Sequence, residues 1–535
     1  MPTPGLLQAL MQPKPTLDLP VFDEWYQNEH GPTRVRLSDI FGNGVRCRAL
    51  DEREPTFAAF YDVKDIHDLE TERYLTLRAN RSKREASVVA QIDITRGFWD
   101  LIHERSADGF KAPEDTTDQD ALGRVLLAVD LTPNEDPQAK EELQKWYGEE
   151  NVDMLSKVPG WLRSRMYKTS VVEDGKATFR FLGLHEFAKN NGIRGPETQT
   201  ALATPRAGEV MIKYTAASDR RMYELFYVFG SGARDLENLS KLPSDAAFFS
   251  TDERTRTLTG TDPVIESYVP MADGLDIPYC LEGNKATDAP TVAFCNSLLT
   301  DLHMWDPLIE LLKKERPDLR ILRYDVRGRH AIPQPPKAAT LDTVTADLQA
   351  LLDGLRIAKL EALVGVSMGG ATTLNFAMQH PDRLKKFVAC DFNVTSSTAN
   401  TQAWKDRIAM AEVDNNQGIK KLAEQTVARW FHPDTKPATK DWMVEMVSRN
   451  DVQGFAHSCT ALWDYDLKPK MDGCTVPGLF VVGEVDGKGG LVKAMDGFKG
   501  ELGGHGAELK VVEGAGHLPM CEQPQGFWNT IREFL

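Results

Sequence analysis

The segment from residue 361 to residue 380 constrains this chain most. The apolar run Glu361-Ala362-Leu363-Val364-Gly365 passes straight into Val366-Ser367-Met368-Gly369-Gly370 and then into a helix-periodic stretch ending at His380. Passing from strand to helix in so few residues crowds the backbone. Glycines two positions either side of Ser367 relieve that crowding, leave the hydroxyl exposed at the tip, and aim the next amide at a nascent oxyanion. A Gly-x-Ser-x-Gly pentapeptide is common; its setting between a strand and a helix gives it meaning. The surroundings agree. Short apolar runs are expected as strands at Val264–Val269, Ile277–Leu281, Thr291–Cys295, Arg320–Tyr324, Ala362–Val366, Phe387–Asp391, Leu479–Gly483 and Leu509–Glu513. Helical patterns fall between most of them, notably Leu341–Leu355 and Met368–His380. Such alternation argues for an α/β unit, a mostly parallel sheet wrapped by helices.

A serine hydroxyl is a poor nucleophile near neutral pH and needs a base that is itself oriented by a carboxylate. After Ser367 the chain supplies Asp486, just past the run Val481-Val482-Gly483, and then His517 in Gly514-Ala515-Gly516-His517-Leu518-Pro519. Both lie at carboxyl ends of expected strands, where sites of open α/β sheets collect. Asp391, ending the sixth of these strands, is a rival for the acid. The oxyanion needs two donors, expected at the Met368 and Leu298 amides.

The carboxyl half resembles the α/β-hydrolases of the 3-oxoadipate enol-lactonase branch over residues 262 to 535. The likeness runs through Asn296-Ser297-Leu298 with Met304-Trp305, Arg323-Tyr324-Asp325-Val326-Arg327-Gly328, Ser367 to Gly370, and Arg429-Trp430-Phe431 of the expected lid. It departs at Arg329-His330-Ala331-Ile332, beside the expected pocket, where the family continues His-Gly-x-Ser. The resemblance implies a serine hydrolase that cleaves a lactone or related ester through an acyl-enzyme. Carbon–carbon bond cleavage next to a ketone uses the same triad and stays open, and a ligand-binding protein on a dead hydrolase is disfavoured by the intact Ser, Asp and His. Between about 393 and 472 helical segments carry Trp404, Trp430, Phe431, Trp442, Phe455 and Trp463, as expected of a cap. Trp305, Arg327, Trp430 and Trp463 are the expected substrate-binding residues; Arg407, Arg429 and His432 are candidates to meet a substrate carboxylate.

The amino half repeats itself. Trp25, Tyr26 and Glu29 recur as Trp146, Tyr147 and Glu150, each 121 residues later, and Leu37 to Gly42 matches Leu155 to Gly160 at an offset of 118. Pro55–Val63 and Ala177–Phe187 read as one pair of strands, Ser87–Ile94 and Glu209–Thr215 as another. The order in each copy is strand, helix, two strands, helix, strand. The repeat, with Trp25-Tyr26-Gln27-Asn28-Glu29-His30, resembles the dimeric α+β barrel superfamily in its EthD-like branch. That resemblance implies a tandem ferredoxin-like α+β barrel, an intramolecular pseudo-dimer, with copies at 1–115 and 116–231. A polar stretch at 232–262 reads as a linker before the hydrolase unit at 263–535. The second copy has Asn151 where the first has His30. Relatives imply acid–base work at His30, as in a dehydratase or cyclase, while the complete catalytic set in the other half favours an accessory barrel that binds substrate, positions the cap or stabilises the hydrolase.

Composition sets the remaining bounds. Lys plus Arg is 63 and Asp plus Glu 79, a net charge of −16, which excludes a basic footprint for nucleic acid. The seven cysteines lie far apart with no CxxC pair, which argues against a zinc knuckle or disulfide scaffold and for a reducing compartment. Neither a secretory leader nor a run of eighteen apolar residues is present, so a cytoplasmic protein without a membrane segment is expected. No metal ion or cofactor is expected; the partner is a small lactone or ester, and the oligomeric state stays open.

Overall fold

The computed structural model describes residues 2–172, 178–244 and 246–535. The chain divides into two compact units, Met1–Ser231 and Gly232–Leu535.

Eight strands build the first unit: β1 (Gly5–Pro13), β2 (Val45–Ala49), β3 (Phe57–Val63), β4 (Ile92–Ser106), β5 (Val125–Pro133), β6 (Trp161–Thr169), β7 (Phe181–Phe187) and β8 (Thr215–Val228). They close into a barrel in the order β1-β3-β2-β8-β5-β7-β6-β4, and every pairing is antiparallel. Each half runs strand, helix, two strands, helix, strand. The registers repeat too: Leu7 faces Tyr61 across β1 and β3, and Leu127 faces His185 across β5 and β7. In both halves the first helix widens into a π-helical turn immediately after its tryptophan, at Tyr26–His30 and at Tyr147–Asn151. Trp25 and Trp146 are both buried, each in its own half's core.

Two expected strands begin as helices. Ser87–Ile94 is divided between the end of the helix Lys83–Val89 and the start of β4 at Ile92, and Glu209–Thr215 lies in the helix Pro205–Tyr214 up to its last residue, where β8 starts. The β-branched residues Val88, Val89, Val210 and Ile212 suggested strands, but local capping decides the outcome. Ser82 Oγ accepts from the Glu85 amide at 2.9 Å, and Thr204 Oγ1 accepts from the Ala207 amide at 3.1 Å with Pro205 opening the helix. The strand expected from Ala177 begins at Phe181; Ala177 itself lies outside the described residues.

In the second unit the strands are β9 (Ala247–Phe249), β10 (Arg256–Leu258), β11 (Val264–Pro270), β12 (Asp276–Gly283), β13 (Thr291–Cys295), β14 (Arg320–Tyr324), β15 (Ala362–Val366), β16 (Phe387–Cys390), β17 (Gly478–Gly483) and β18 (Glu508–Val512). They form one sheet in the order β18-β17-β16-β15-β13-β14-β12-β11-β10-β9. Pairings from β14 through β13 to β18 are parallel. The segment read as a linker is corrected here: its short strands β9 and β10 extend the sheet beyond β11, and Thr255 Oγ1 shares a hydrogen bond with Ser267 Oγ at 2.7 Å. Strands of three residues, Ala-Phe-Phe and Arg-Thr-Leu, are too short to show a period. After β14 the chain crosses β13 to form β15, so the carboxyl ends of β13 and β15 adjoin at a topological switch point, where such sheets open a crevice. Between β16 and β17 the helices Thr398–Asn416, Gly418–Trp430, Pro437–Ser448 and Val452–Cys459 form an inserted layer. Among the described residues no helix is long and apolar enough to cross a membrane.

Removing either cap tests the helix assignments. Ser82→Ala and Thr204→Ala should each lower barrel stability by about 1 kcal/mol, read as a fall in the urea midpoint; an unmoved midpoint would show that these hydroxyls do not hold the helices.

Candidate active site

Ser367 sits between β15 and the helix Met368–Gln379 with φ 58° and ψ −118°, a conformation that costs a non-glycine residue about 1 to 3 kcal/mol. Its neighbours impose it. The Ser367 amide donates to the Cys390 carbonyl at 2.9 Å, tying the turn to β16. A Cβ on Gly365 would lie 2.2 Å from the Gly369 carbonyl oxygen, and one on Gly369 would lie 2.1 Å from that of Cys295. Only glycine permits so close a turn.

The loop after β13 is fixed from beneath. Asn296, fully buried, donates from Nδ2 to the Tyr324 carbonyl at 2.8 Å and accepts from Trp305 Nε1 at 2.9 Å. Leu298 thereby faces the same cavity as Ser367 and Met368. The loops after β17 and β18 bring Asp486 and His517 together, with His517 Nδ1 2.7 Å from Asp486 Oδ2. The His517 amide donates to the Trp430 carbonyl at 2.7 Å, and the Trp430 ring lies 5.3 Å from the imidazole, centroid to centroid. All five expected residues thus border one cavity of about 430 Å³.

Asp391 also reaches this cavity. Its Oδ1 accepts from the Gly483 amide at 2.8 Å, and its carboxyl is in contact with that of Asp486. Burial raises the Asp391 pKa well above the usual carboxylate range, and the charge of Asp486 adds to the shift. Burial also works against the Asp486 charge, but His517 and a hydrogen bond from Asp391 outweigh it and hold that pKa low. The pair therefore carries one proton, on Asp391. Asp391, Asp486 and His517 have donor atoms within 4.8 Å of one another, with His517 Nδ1 engaged by Asp486 and Asp391 Oδ1 by the Gly483 amide.

The inserted helices close the cavity from above. Trp430 borders it, as do Arg407 and Arg429. Arg407 lies over the Trp404 ring at 4.3 Å. Burial lowers the pKa of both guanidiniums, and for Arg407 the charge of Arg429 adds to that effect. Among the described residues neither has an ion pair or a side-chain hydrogen bond.

Three of the expected substrate-binding residues lie elsewhere. Trp305 is fully buried beneath the Asn296 loop and packs on Phe294. Arg327 is held by both oxygens of Asp347 at 2.6 Å and by Asp273 at 2.9 Å, which joins the end of β14 to the helix Leu341–Gly354. Trp463 packs in the inserted layer under Lys405. Sequence spacing placed them near the site but could not show which way they face. His432 also stays outside the cavity lining. The altered Arg329-His330 pair does not border the cavity either: Arg329 bonds Asp301 at 2.8 Å and His330 bonds Asp325 at 2.6 Å. Glu522 escaped sequence reasoning, its sole signal being a carboxylate five residues after His517. It accepts from the Gly516 amide at 2.8 Å and from the His432 amide and Thr435 hydroxyl at 2.6 Å, binding the histidine loop to the inserted helices.

Residues 290–429 match the sequence profile of the alpha/beta hydrolase fold. The chain is 30% identical to the 3-oxoadipate enol-lactonase 2 of Acinetobacter baylyi over 248 residues, 46% of this chain and 88% of that protein. It is 28% identical to the 3-oxoadipate enol-lactonase 1 of the same organism over 259 residues, 47% of this chain and 91% of that protein. A solved enol-lactonase from Burkholderia xenovorans aligns at 29% identity and a TM-score of 0.43, covering 50% of this chain and 98% of that one.

Glu522→Ala leaves three donors without their acceptor and should cost about 2 to 3 kcal/mol in the second unit. Chemical denaturation measures this; a midpoint equal to that of the parent chain would deny Glu522 its bracing role.

Proposed function

The chain belongs to the α/β-hydrolase family, and from that premise we propose that its carboxyl-terminal unit opens a carboxylate-bearing lactone or ester through an acyl-enzyme on Ser367. The observation that carries this reading is one cavity holding both the Ser367, His517 and Asp486 set and two guanidiniums, Arg407 and Arg429, that lack carboxylate partners among the described residues. Arg407 is half-buried and Arg429 exposed on the cavity wall, and a substrate carboxylate would receive charge-assisted hydrogen bonds from them.

Each step uses a group that borders this cavity. His517, its Nδ1–H held by Asp486, takes the Ser367 proton as Oγ adds to the carbonyl. The Met368 and Leu298 amides receive the oxyanion. Collapse expels the alkoxide or enolate, which His517 protonates; an expelled enol then becomes a ketone, which draws the step forward. Water activated by His517 frees Ser367 in a second, mirrored pair of steps. Asp391, protonated, steadies Asp486 from the side away from His517. The enol-lactonase relatives favour a lactone among the possible esters. Hydrolytic cleavage beside a ketone would need the same serine, and a panel holding a lactone, an aryl ester and a 1,3-diketone, each with and without a carboxylate, separates the two.

The amino-terminal unit we read as two ferredoxin-like α+β copies, at 1–115 and 116–231, closed face to face as an EthD-like pseudo-dimer. The repeated strand order, the matching ladder registers and the paired π-helical turns support that reading.

Ser367→Ala should lower turnover on the order of 10⁴-fold or more and abolish labelling by a fluorophosphonate. A folded variant with near-normal turnover would exclude the acyl-enzyme. Arg429→Gln should raise KM about 10- to 100-fold for the carboxylated lactone and leave the neutral aryl ester unchanged. Equal effects on both would remove the anion from the substrate description. Asp486→Asn should cost about 10³ to 10⁴ in kcat, whereas Asp391→Asn, which keeps a donor toward Asp486, should cost less than about tenfold. Because burial and the charge of Asp486 raise the Asp391 pKa, its proton leaves at higher pH than that of an ordinary carboxyl, and the second negative charge then favours the imidazolium and slows the enzyme. Asp391→Asn should therefore extend the pH–rate profile upward; an unchanged alkaline limb, or a larger loss than Asp486→Asn, would reverse the assignment.

A further inference from the structure

The loop that carries the Leu298 amide is strained at its centre. Ser297 to Thr300 form a tight turn in which the Ser297 carbonyl accepts from the Thr300 amide at 3.3 Å and from the Thr300 hydroxyl at 2.8 Å. Its third residue, Leu299, is buried with φ 73°, a left-handed conformation that favours glycine. Leu298, in the same turn, borders the cavity with Ser367, and its amide makes no hydrogen bond among the described residues. The floor beneath holds only the two ends of this loop: Asp325 Oδ1 accepts from Asn296 Nδ2 at 3.3 Å and from the Leu302 amide at 2.7 Å. What keeps Leu299 left-handed lies on the other side.

There the Leu299 carbonyl meets two donors that belong to or grip the inserted layer. Asn450, buried between the helices Pro437–Ser448 and Val452–Cys459, donates from Nδ2 to the Leu299 carbonyl at 2.7 Å and to the Val447 carbonyl at 2.8 Å. Both hydrogens of that nitrogen are engaged, which fixes the orientation of the side-chain amide. Arg329 reaches the same carbonyl from Nη1 at 3.4 Å, and that nitrogen also donates to the Met446 carbonyl at 3.2 Å, while Nη2 donates to Asp301 Oδ2 at 2.8 Å. Together the two side chains join Leu299 and Asp301 to the last turn of the helix Pro437–Ser448. Arg329 opens the stretch at which the sequence departs from the enol-lactonase pattern, and it makes these contacts without bordering the cavity.

We propose that Asn450 and Arg329 are positioning residues of the oxyanion hole, which aim the Leu298 amide by holding the Leu299 carbonyl. The proposal rests on the acyl-enzyme reading above. Without these donors Leu299 relaxes toward negative φ, and the four-residue turn that shares its peptides with Leu298 rotates as a unit. An oxyanion donor acts only at hydrogen-bond distance, so a displacement of about 1 Å costs on the order of 10²-fold in rate. Neither side chain borders the cavity, so binding of the ground state is left alone and the loss falls on the tetrahedral intermediate. The inserted layer then sets both halves of the chemistry: Trp430 holds the base and Asn450 the oxyanion donor.

Steady-state hydrolysis of 4-nitrophenyl acetate by the full chain, with inhibition by phenylboronic acid, tests this, since the boronate forms a tetrahedral adduct on the serine. Asn450→Asp keeps the shape and replaces the shared donor with an acceptor. It should lower kcat about 10- to 100-fold with KM held, and weaken boronate inhibition by the same factor. Arg329→Gln should show the same split at about 2- to 10-fold, and it carries the test should Asn450→Asp not fold. Ser458→Ala breaks a different tie of the inserted layer, from Ser458 Oγ to the Arg327 carbonyl at 2.5 Å, and should keep the parent kcat. Labelling of the parent chain by a fluorophosphonate reads the acyl-enzyme separately. A parent chain that neither labels nor turns over overturns both readings. An active, labelled parent whose folded variants keep kcat, change KM alone, or lose no more than Ser458→Ala overturns this one only.

Discussion

The positive φ of Ser367 is the constraint on which the catalytic unit depends. A serine at φ 58° relaxes unless the structure around it forbids the alternatives. Here the amide bond to Cys390 fixes the turn from the β16 side, and Gly365 and Gly369 let the helix press onto β13 and β15 without a Cβ between them. The same close approach that makes the strain unavoidable starts the helix at Met368, so its first amides face the cavity. The strain and the placing of Ser367 and Met368 on the cavity wall follow from one packing event.

What surrounds the elbow is a chain of carboxylates, each with a different task. Asp486 is ionised and oriented by His517; Asp391 behind it keeps a proton because two adjacent buried charges would repel; Glu522 binds the loop of His517 to the inserted helices. Burial opposes all three charges, and only at Asp486 do the partners outweigh it. Asp391 finds one amide and stays neutral. Asp486 has the imidazole, a backbone amide and Asp391 itself, and stays charged. Trp430 completes the connection, since its carbonyl receives the His517 amide while its ring covers the imidazole. The inserted layer therefore orients the base as well as covering it.

The parts legible in the sequence were those in which local pattern and fold agree. Parallel strands buried on both faces read as continuous apolar runs, and the eight expected strands of the second unit from Val264 onward all formed near their expected bounds. Ser367, Asp486 and His517 stood out because each follows such a strand directly. Side-chain direction was not legible. Trp305 and Arg327 belong to segments near the site yet point beneath it, into contacts with Asn296 and Asp347 that lie 9 and 20 residues away. Capping hydroxyls outweighed β-branched composition around Val88 and Val210, and the three-residue edge strands β9 and β10 were too short to show a period. Glu85 was hidden because its partner His30 lies 55 residues away in the chain.

The two barrel halves show how one backbone can hold two different interiors. Tyr61 and His185 occupy equivalent rungs of their ladders, opposite Leu7 and Leu127. In the second half the His185 ring stacks on Tyr147 at 5.6 Å, its Nδ1 shares a hydrogen bond with Ser164 Oγ at 2.8 Å, and the Tyr147 hydroxyl donates to the Arg165 carbonyl at 2.8 Å. Burial drives the His185 pKa down to about 3, which leaves it a neutral packing group. In the first half the tyrosine hydroxyls bond each other and the histidine moves to the π-helical turn, where Glu85 can reach it from a different helix. Closure of the barrel requires strands from both halves, so neither backbone is free to change. Closure does not require matching interiors, and substitution at two positions, His30 against Asn151 and Tyr61 against His185, gives the two halves different hydrogen-bond networks.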